Sequence, residues 1–238
     1  MCGRYTFKNP AAIAAALERL GIKPRGKDRL PQRYNVAPSQ TMPVVKSSGS
    51  WTVEPMRWGH TVQFGPAAKP QLLINARSET VAEKPTFRHG LQAHRCLVPA
   101  DGFFEWLRLD GGKVKIPFHI RLQTGAPFWI AGLFWPEAGD QPERYIILTT
   151  APNQLMADIH DRMPAIMDEA AAREWLTSGP ITPARLPVLC ASYRASLMTA
   201  TRVSSFVNSA KHDSPECIVP AAADEGPAES PPPQAELF

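Results

Sequence analysis

The sequence predicts an α+β fold, a single domain of curved, barrel-like, mainly antiparallel sheets with a few flanking helices. Three observations predict it. Short runs rich in aromatic and β-branched residues recur along the 238-residue chain, Gly, Pro and Asp turns separate them, and few segments carry helix signals. Neither a fixed-period repeat nor a linker divides the body, so one core is expected.

The elements follow in order. Asn9 can cap a helix, Pro10 suits its first position, Ala11 to Leu20 are good helix formers and Gly21 is a stop. After a basic loop, strands are predicted at Met42–Lys46, Trp51–Trp58, Leu72–Ala76, Arg95–Pro99, Phe103–Leu109 and Ile116–Leu122. Asp110-Gly111-Gly112 reads as a hairpin turn between the last two. Further strands are predicted at Phe128–Phe134, Tyr145–Thr150, Pro164–Met167 and Thr199–Ser204. A short helix is expected after Pro152, and another over Asp168–Leu176, with acidic residues in its first turn. The domain is expected to span residues 1–220. The Pro-, Ala- and Glu-rich residues 221–238 read as a disordered tail.

Composition narrows the function classes. With 44% hydrophobic and 20% charged residues, the chain can bury a sizeable core. It has no run of the roughly 20 apolar residues that would span a bilayer and no secretory-type apolar start. A cytoplasmic protein is expected, with no membrane partner. Cys2, Cys96, Cys190 and Cys217 lack C-x-x-C spacing, which argues against a zinc ribbon, and disulfides are not expected in that compartment. Cys96 and Cys190, in apolar runs, read as small buried hydrophobes. The formal net charge is +4, and Asp224, Glu225, Glu229 and Glu236 put −4 on the tail, so the body carries +8. Such a body suits a polyanion such as nucleic acid, and equally a merely basic protein.

Met1-Cys2-Gly3-Arg4 carries the chemistry. Initiator methionine is generally removed before a small residue, and its loss would leave Cys2 with a free α-amine beside its thiol. Such a 1,2-aminothiol condenses with an aldehyde to a Schiff base, and the thiol closes a thiazolidine. An α-amine titrates near 7.7–8.0, against about 10.4 for lysine, so a useful fraction is nucleophilic at cellular pH. Arg4 would favour the thiolate, and Gly3 lets the backbone approach a partner. Glu105 lies between Phe104 and Trp106, so on a strand it shares a face with Phe103 and Leu107. Among such neighbours its pKa should rise, which suits a general acid and base; the alternative is a surface or ion-paired strand glutamate. His160 could shuttle protons or be a lone satisfied histidine. Asp161 is a poor candidate to orient it, because adjacent side chains rarely face each other. Asn75 and Arg77 share a strand face, where an amide could bond a sugar oxygen and a guanidinium a phosphate. Trp58 and Trp106 could stack bases or pack the core.

Several segments in order resemble one family. They are Met1-Cys2-Gly3-Arg4-Tyr5; Arg33-Tyr34-Asn35-Val36-Ala37-Pro38; Arg57-Trp58-Gly59; Ile74-Asn75-Ala76-Arg77-Ser78-Glu79-Thr80; Arg95 through Trp106; Lys115-Ile116-Pro117-Phe118; and Ile159-His160-Asp161-Arg162-Met163-Pro164. Val203-Ser204, Val207-Asn208 and Cys217-Ile218 follow. The chain resembles the SOS-response-associated peptidase family over Met1 to about Pro220. The resemblance implies a monomeric domain with a basic groove for single-stranded DNA, a thiazolidine between Cys2 and an abasic sugar, autocatalytic release of Met1, crosslink reversal and weak strand-cleaving lyase activity. No cofactor or metal is implied. Catalytic roles fall by resemblance on Cys2, Asn75, Glu105 and His160. DNA contacts fall on Gly3, Arg4, Asn35, Pro38, Trp58, Phe64, Arg77, Trp106, Thr149 and Arg162. One departure is visible: His60-Thr61-Val62-Gln63-Phe64-Gly65 replaces the family's I-P-x-W-like loop, so Phe64 stands for a larger wedge, with Pro38 as the wedge on the other side.

Two other readings compete. An N-terminal-nucleophile cysteine peptidase or amidohydrolase would use Cys2 with its own amine as base. A non-catalytic single-strand binder would not need Cys2 at all.

Overall fold

The structure, a computed structural model, describes residues 2–22, 30–48, 50–177, 179–222 and 228–229. The chain runs β1 (Arg4–Phe7), α1 (Pro10–Arg19), β2 (Arg33–Val36), β3 (Thr41–Ser48), β4 (Ser50–Trp58), β5 (His60–Val62), β6 (Gln71–Leu73) and β7 (Asn75–Arg77). It continues with α2 (Pro85–Ala93), β8 (Arg95–Ala100), β9 (Gly102–Leu109), β10 (Val114–Leu122), β11 (Phe128–Trp135) and β12 (Arg144–Thr150). Then come α3 (Gln154–Ala157), β13 (Met163–Pro164), β14 (Ile166–Met167), α4 (Glu169–Leu176), α5 (Leu186–Leu189), β15 (Met198–Arg202) and β16 (Ala228–Glu229).

One sheet closes on itself. β12, β4, β3, β8 and β11 pair in sequence and β11 pairs back to β12, giving the expected barrel. Closure leaves those strands no free edge along the ring. Gly132 of β11 is needed where the ring is tight: a Cβ there would lie 2.8 Å from both Cys96 Sγ and the Ile146 carbonyl. The second sheet runs β15-β10-β9-β1-β2, antiparallel throughout.

The barrel is mixed at one seam. β4 runs parallel to β12 at Arg144–Tyr145, and β7 takes over, also parallel, at Ile147–Thr149. Between them the chain leaves the barrel as the β5–β6 hairpin, so the single strand expected over Leu72–Ala76 is divided between β6 and β7. The departure point is Gly59, at φ +116°, where a Cβ would lie 2.7 Å from Leu72 Cδ1.

The helices follow their signals. Asn9 caps α1 by accepting from Ala12 N, and Ile13, Ala16 and Leu17 face the core. Asp168 caps α4 by accepting from Ala171 N, and α4 buries Ala172, Trp175 and Leu176. The helix expected after Pro152 is α3, capped by Asn153. The Pro164–Met167 run divides into β13 and β14, and the hairpin turn at Asp110–Gly112 joins β9 to β10. Six elements were not foreseen, the short strands β5 and β16 among them. β1 and β2 are four residues each and polar at one end. α2 has no side-chain cap and carries Gly90 in its interior. α5 is a single turn.

Residues 223–227 and 230–238 of the tail expected to be disordered lie outside the described residues. Ala228–Glu229 pairs with Val114–Lys115 on the edge of β10. No helix among the described residues is long and apolar enough to cross a membrane.

Candidate active site

Cys2 precedes β1 and its side chain is fully buried. The Asn75 side-chain amide donates to the Cys2 carbonyl at 2.9 Å, which ties the N-terminal segment to the barrel. Burial pushes the Cys2 thiol well up, and the neighbouring Glu105 charge adds to it. Arg4 was expected to favour the thiolate. Instead its guanidinium donates to Asn35 Oδ1 at 2.9 Å and to the Val207 and Asn208 carbonyls at 3.0 and 3.2 Å. The thiol is therefore neutral and needs a base. Met1 lies outside the described residues.

Glu105 sits on β9 with 2% of its surface exposed, on the face expected from the alternation of its strand. Burial raises its pKa to about 7, while nearby positive charge, including Arg108, opposes the rise. His160 Nε2 lies 3.9 Å from Glu105 Oε2, too long for a hydrogen bond but close enough for one to form on a small movement. Burial lowers the His160 pKa, so its ring is neutral at pH 7. Its Nδ1 accepts from the Arg162 backbone N–H at 3.0 Å. Asp161 Oδ1 also lies 3.0 Å from Nδ1, although Asp161 was expected to be a poor candidate to orient the ring. Residues 160–162 form neither helix nor strand, so the alternation rule of regular elements does not apply. The fold thus gathers Cys2, Asn75, Glu105 and His160, which lie far apart in sequence.

The residues assigned to DNA divide into several groups. Arg77 is exposed on the same face of β7 as Asn75. Phe64 is 56% exposed on the β5–β6 hairpin, a position fit for a wedge. Pro38 is half-buried in a turn, before Ser39 at φ +70°. Gly3 is half-buried. Trp58 is a core residue: it is fully buried, donates to the Ile74 carbonyl at 3.0 Å and stacks on Tyr145. It presents no face to a base. Asn35 is also fully buried, its amide spent on the Val207, Ser209 and His212 carbonyls. Thr149 is 2% exposed, with its hydroxyl directed to the Ala76 carbonyl. Trp106 is half-buried and donates to Asn208 Oδ1 at 2.7 Å. Arg162 is engaged by Glu79, at 2.7 and 2.8 Å.

Sequence reading missed the clamp that holds β1 and β2 to the 205–213 segment. Asp213 binds the Arg33 guanidinium and accepts from the backbone N–H groups of Tyr34 and Asn35 at 2.6 and 2.9 Å. Only Val207-Asn208 in the last matched segments pointed to this region. All four cysteines are free and buried. Among the described residues, no group of three or more His, Cys, Asp or Glu side chains could hold a metal ion.

The family model described as SOS response associated peptidase (SRAP) matches residues 1–210. The abasic site processing protein YoqW of Bacillus subtilis (strain 168) is 42% identical over 230 residues, covering 92% of this chain and 99% of that protein. The abasic site processing protein HMCES of Rattus norvegicus is 30% identical over 271 residues, covering 93% and 76%. A crystal structure of a Bacteroides thetaiotaomicron protein superposes with a TM-score of 0.74 at 25% identity, covering 93% of this chain and 100% of that one. With its barrel, its gathered Cys2, Asn75, Glu105 and His160 and these matches, the chain belongs to the SOS response associated peptidase family.

Proposed function

We propose that the protein processes abasic sites in single-stranded DNA by bonding Cys2, freed of Met1, to the lesion aldehyde as a thiazolidine. The observation that carries this is the placing of Cys2 against Asn75 beside the Glu105–His160 pair. Relatives named abasic site processing proteins support the reading.

Release of Met1 hydrolyses one peptide bond and consumes one water. The freed α-amine adds to the aldehyde carbon to give a carbinolamine, which loses water to form an imine. The thiol sulfur then adds to the imine carbon and its proton passes to the nitrogen, closing the ring. One water is released overall, so water reverses the crosslink. Glu105, protonated up to about pH 7, donates to the sugar ring oxygen, takes back a proton from the amine as it adds, and donates again to the departing hydroxyl. The neutral His160 imidazole, with Nε2 3.9 Å from Glu105 Oε2, is placed to hydrogen-bond that carboxylate between its proton transfers. From the imine, loss of a proton beside it expels the 3′ phosphate, which is the lyase branch. Arg77 and Phe64 are the exposed residues that meet phosphate and base.

The test is a denaturing gel of protein mixed with a single-stranded oligonucleotide bearing one abasic site. Loss of Met1 is verified by mass. A heat-stable adduct is expected, absent from Cys2→Ala and from protein carrying an extra N-terminal residue. No adduct from Met1-free protein, with turnover of unrelated peptides, would establish the N-terminal-nucleophile peptidase instead.

A further inference from the structure

We propose that Glu79 is a positioning residue for His160: it fixes Arg162, and Arg162 decides which imidazole nitrogen carries the proton. Glu79 belongs to none of the catalytic or DNA-binding assignments above.

The geometry runs through three contacts. Glu79 Oε1 and Oε2 accept from Arg162 Nη1 and Nη2 at 2.7 and 2.8 Å, a two-pronged pair. Nη2 also donates to the Thr149 carbonyl at 2.7 Å, so the guanidinium is pinned across the edge of β12. The Arg162 side chain is only 12% exposed, whereas Glu79 is 48% exposed. An isolated surface ion pair contributes little to stability. This one does something else, because Arg162 is also the residue whose backbone N–H reaches His160 Nδ1 at 3.0 Å.

Two groups compete for that nitrogen. The Arg162 N–H requires Nδ1 to be a bare acceptor, which leaves the proton of the neutral ring on Nε2, facing Glu105 at 3.9 Å. The Asp161 carboxylate, also 3.0 Å from Nδ1, favours the opposite tautomer, with the proton on Nδ1. The Asp161 side chain is 80% exposed and free to follow the ring. The Arg162 N–H holds its place only while the 160–162 turn does, and the Glu79 pair anchors that turn from outside. Without Glu79, the turn relaxes, Nδ1 carries the proton and donates a hydrogen bond to Asp161, and Nε2 faces Glu105 as a bare acceptor. The proton relation between His160 and Glu105 is then inverted.

The consequence for crosslinking rests on the function proposed above, but the tautomer does not. The experiment is therefore 15N NMR of the full-length protein labelled at histidine, with the His160 signals assigned by their loss in His160→Gln. Wild type should show the Nε2-protonated tautomer near neutral pH. Glu79→Ala should move His160 to the Nδ1-protonated form or a mixture and slow adduct formation at saturating abasic oligonucleotide about tenfold, the worth of one hydrogen bond. Glu79→Gln, which keeps the shape and one acceptor without the charge, should fall between them and serves if the alanine variant does not fold. An unchanged His160 tautomer in the Glu79 variants overturns the inference. So does tighter binding of undamaged oligonucleotide with no change at His160, since Glu79 would then only compete with phosphate for Arg162. A tautomer shift in a protein that forms no adduct supports the positioning role and defeats the crosslinking reading alone.

Discussion

The Asn75 side-chain amide donates to the Cys2 carbonyl at 2.9 Å, so β7, the second strand segment along the β12 seam, directly holds the residue proposed to react. The other end of that amide, Oδ1, is buried with no hydrogen-bond partner among the described residues. A buried acceptor left open beside Cys2 suits a hydroxyl of an incoming sugar. Asn75→Ala should slow adduct formation about tenfold, the worth of one net hydrogen bond, without abolishing it. Asn75→Asp should be slower still, because it cannot donate and adds a second carboxylate near Glu105. Single-turnover rates check this, and an alanine variant within twofold of wild type would make the bond incidental.

Glu105 makes two predictions that share one cause. Its pKa is raised by burial to about 7, so it is a proton donor at the pH where the Cys2 amine begins to be free. Glu105→Gln should lower the adduct rate by about 100-fold or more, the usual worth of a general acid. Wild type should show a fall in rate above pH 7 that the variant lacks. Stability moves with the same proton. Between the ordinary carboxylate value and 7 the unfolded chain has lost a proton that the folded chain keeps. Glu105 therefore makes the fold less stable as pH rises through that window, by a total on the order of 3 kcal/mol. Thermal melts of Glu105→Gln should gain on wild type from pH 4.5 to 7.5, and parallel melting curves would refute the assignment.

How much of this was readable beforehand depended on the range of the interaction. Asn9 and Asp168 cap helices through bonds to residues three positions on, so both helices were legible. Alternation placed Glu105 with Phe103 on one face of β9, and burial followed from its neighbours. β1 and β2 were not legible, because their ends are polar and their pairing is fixed by the clamp from Asp213, some 180 residues away. Trp58 shows the same limit from the other side. A matched segment placed it among the DNA contacts, but its environment of Tyr5 and Tyr145 comes from two distant strands. Asp161 was misjudged because a rule of regular elements was applied to an irregular turn.

Arg4 separates a clamp from a phosphate contact. Its guanidinium is spent on Asn35, Val207 and Asn208 and lies 5.9 Å from the centre of the Trp106 ring. Arg4→Ala should lower stability by on the order of 1–3 kcal/mol, as removal of a half-buried side chain with three hydrogen bonds does. It should leave the salt dependence of single-strand binding unchanged. The exposed Arg77, changed to alanine, should do the reverse: little loss of stability, and a salt slope shallower by about 0.7 for the one phosphate lost. Melting curves and binding isotherms at three salt concentrations distinguish the two. A shallower slope for Arg4→Ala would return it to the DNA contacts.

His119 should make the fold sensitive to acid. It lies on β10 with 4% of its surface exposed, against the Phe104 ring and 3.4 Å from Thr6 Oγ1. That hydroxyl donates to Asp101 Oδ1 at 2.6 Å, so it meets His119 Nε2 as an acceptor, and the neutral ring carries its proton there. No room exists for a larger approach, since a Cβ on Gly102 would lie 2.2 Å from Nε2. Burial, followed by the charges of Lys8 and Arg121, pushes the His119 pKa down to about 3. The neutral ring's contribution is complete above the ordinary imidazole value and is lost as pH falls, because the unfolded chain binds a proton that the folded one refuses until about pH 3. At pH 4 the accumulated loss is on the order of 3 kcal/mol. His60, driven down to about 4 by burial and Arg144, titrates in the same range, but it is half-exposed and adds less. His119→Gln keeps an amide hydrogen near Thr6 and removes the titrating group. The variant should therefore lose less melting temperature than wild type between pH 7 and pH 4. If both fall by the same amount, the ring is not held neutral, and the acid sensitivity of this fold lies in its carboxylates.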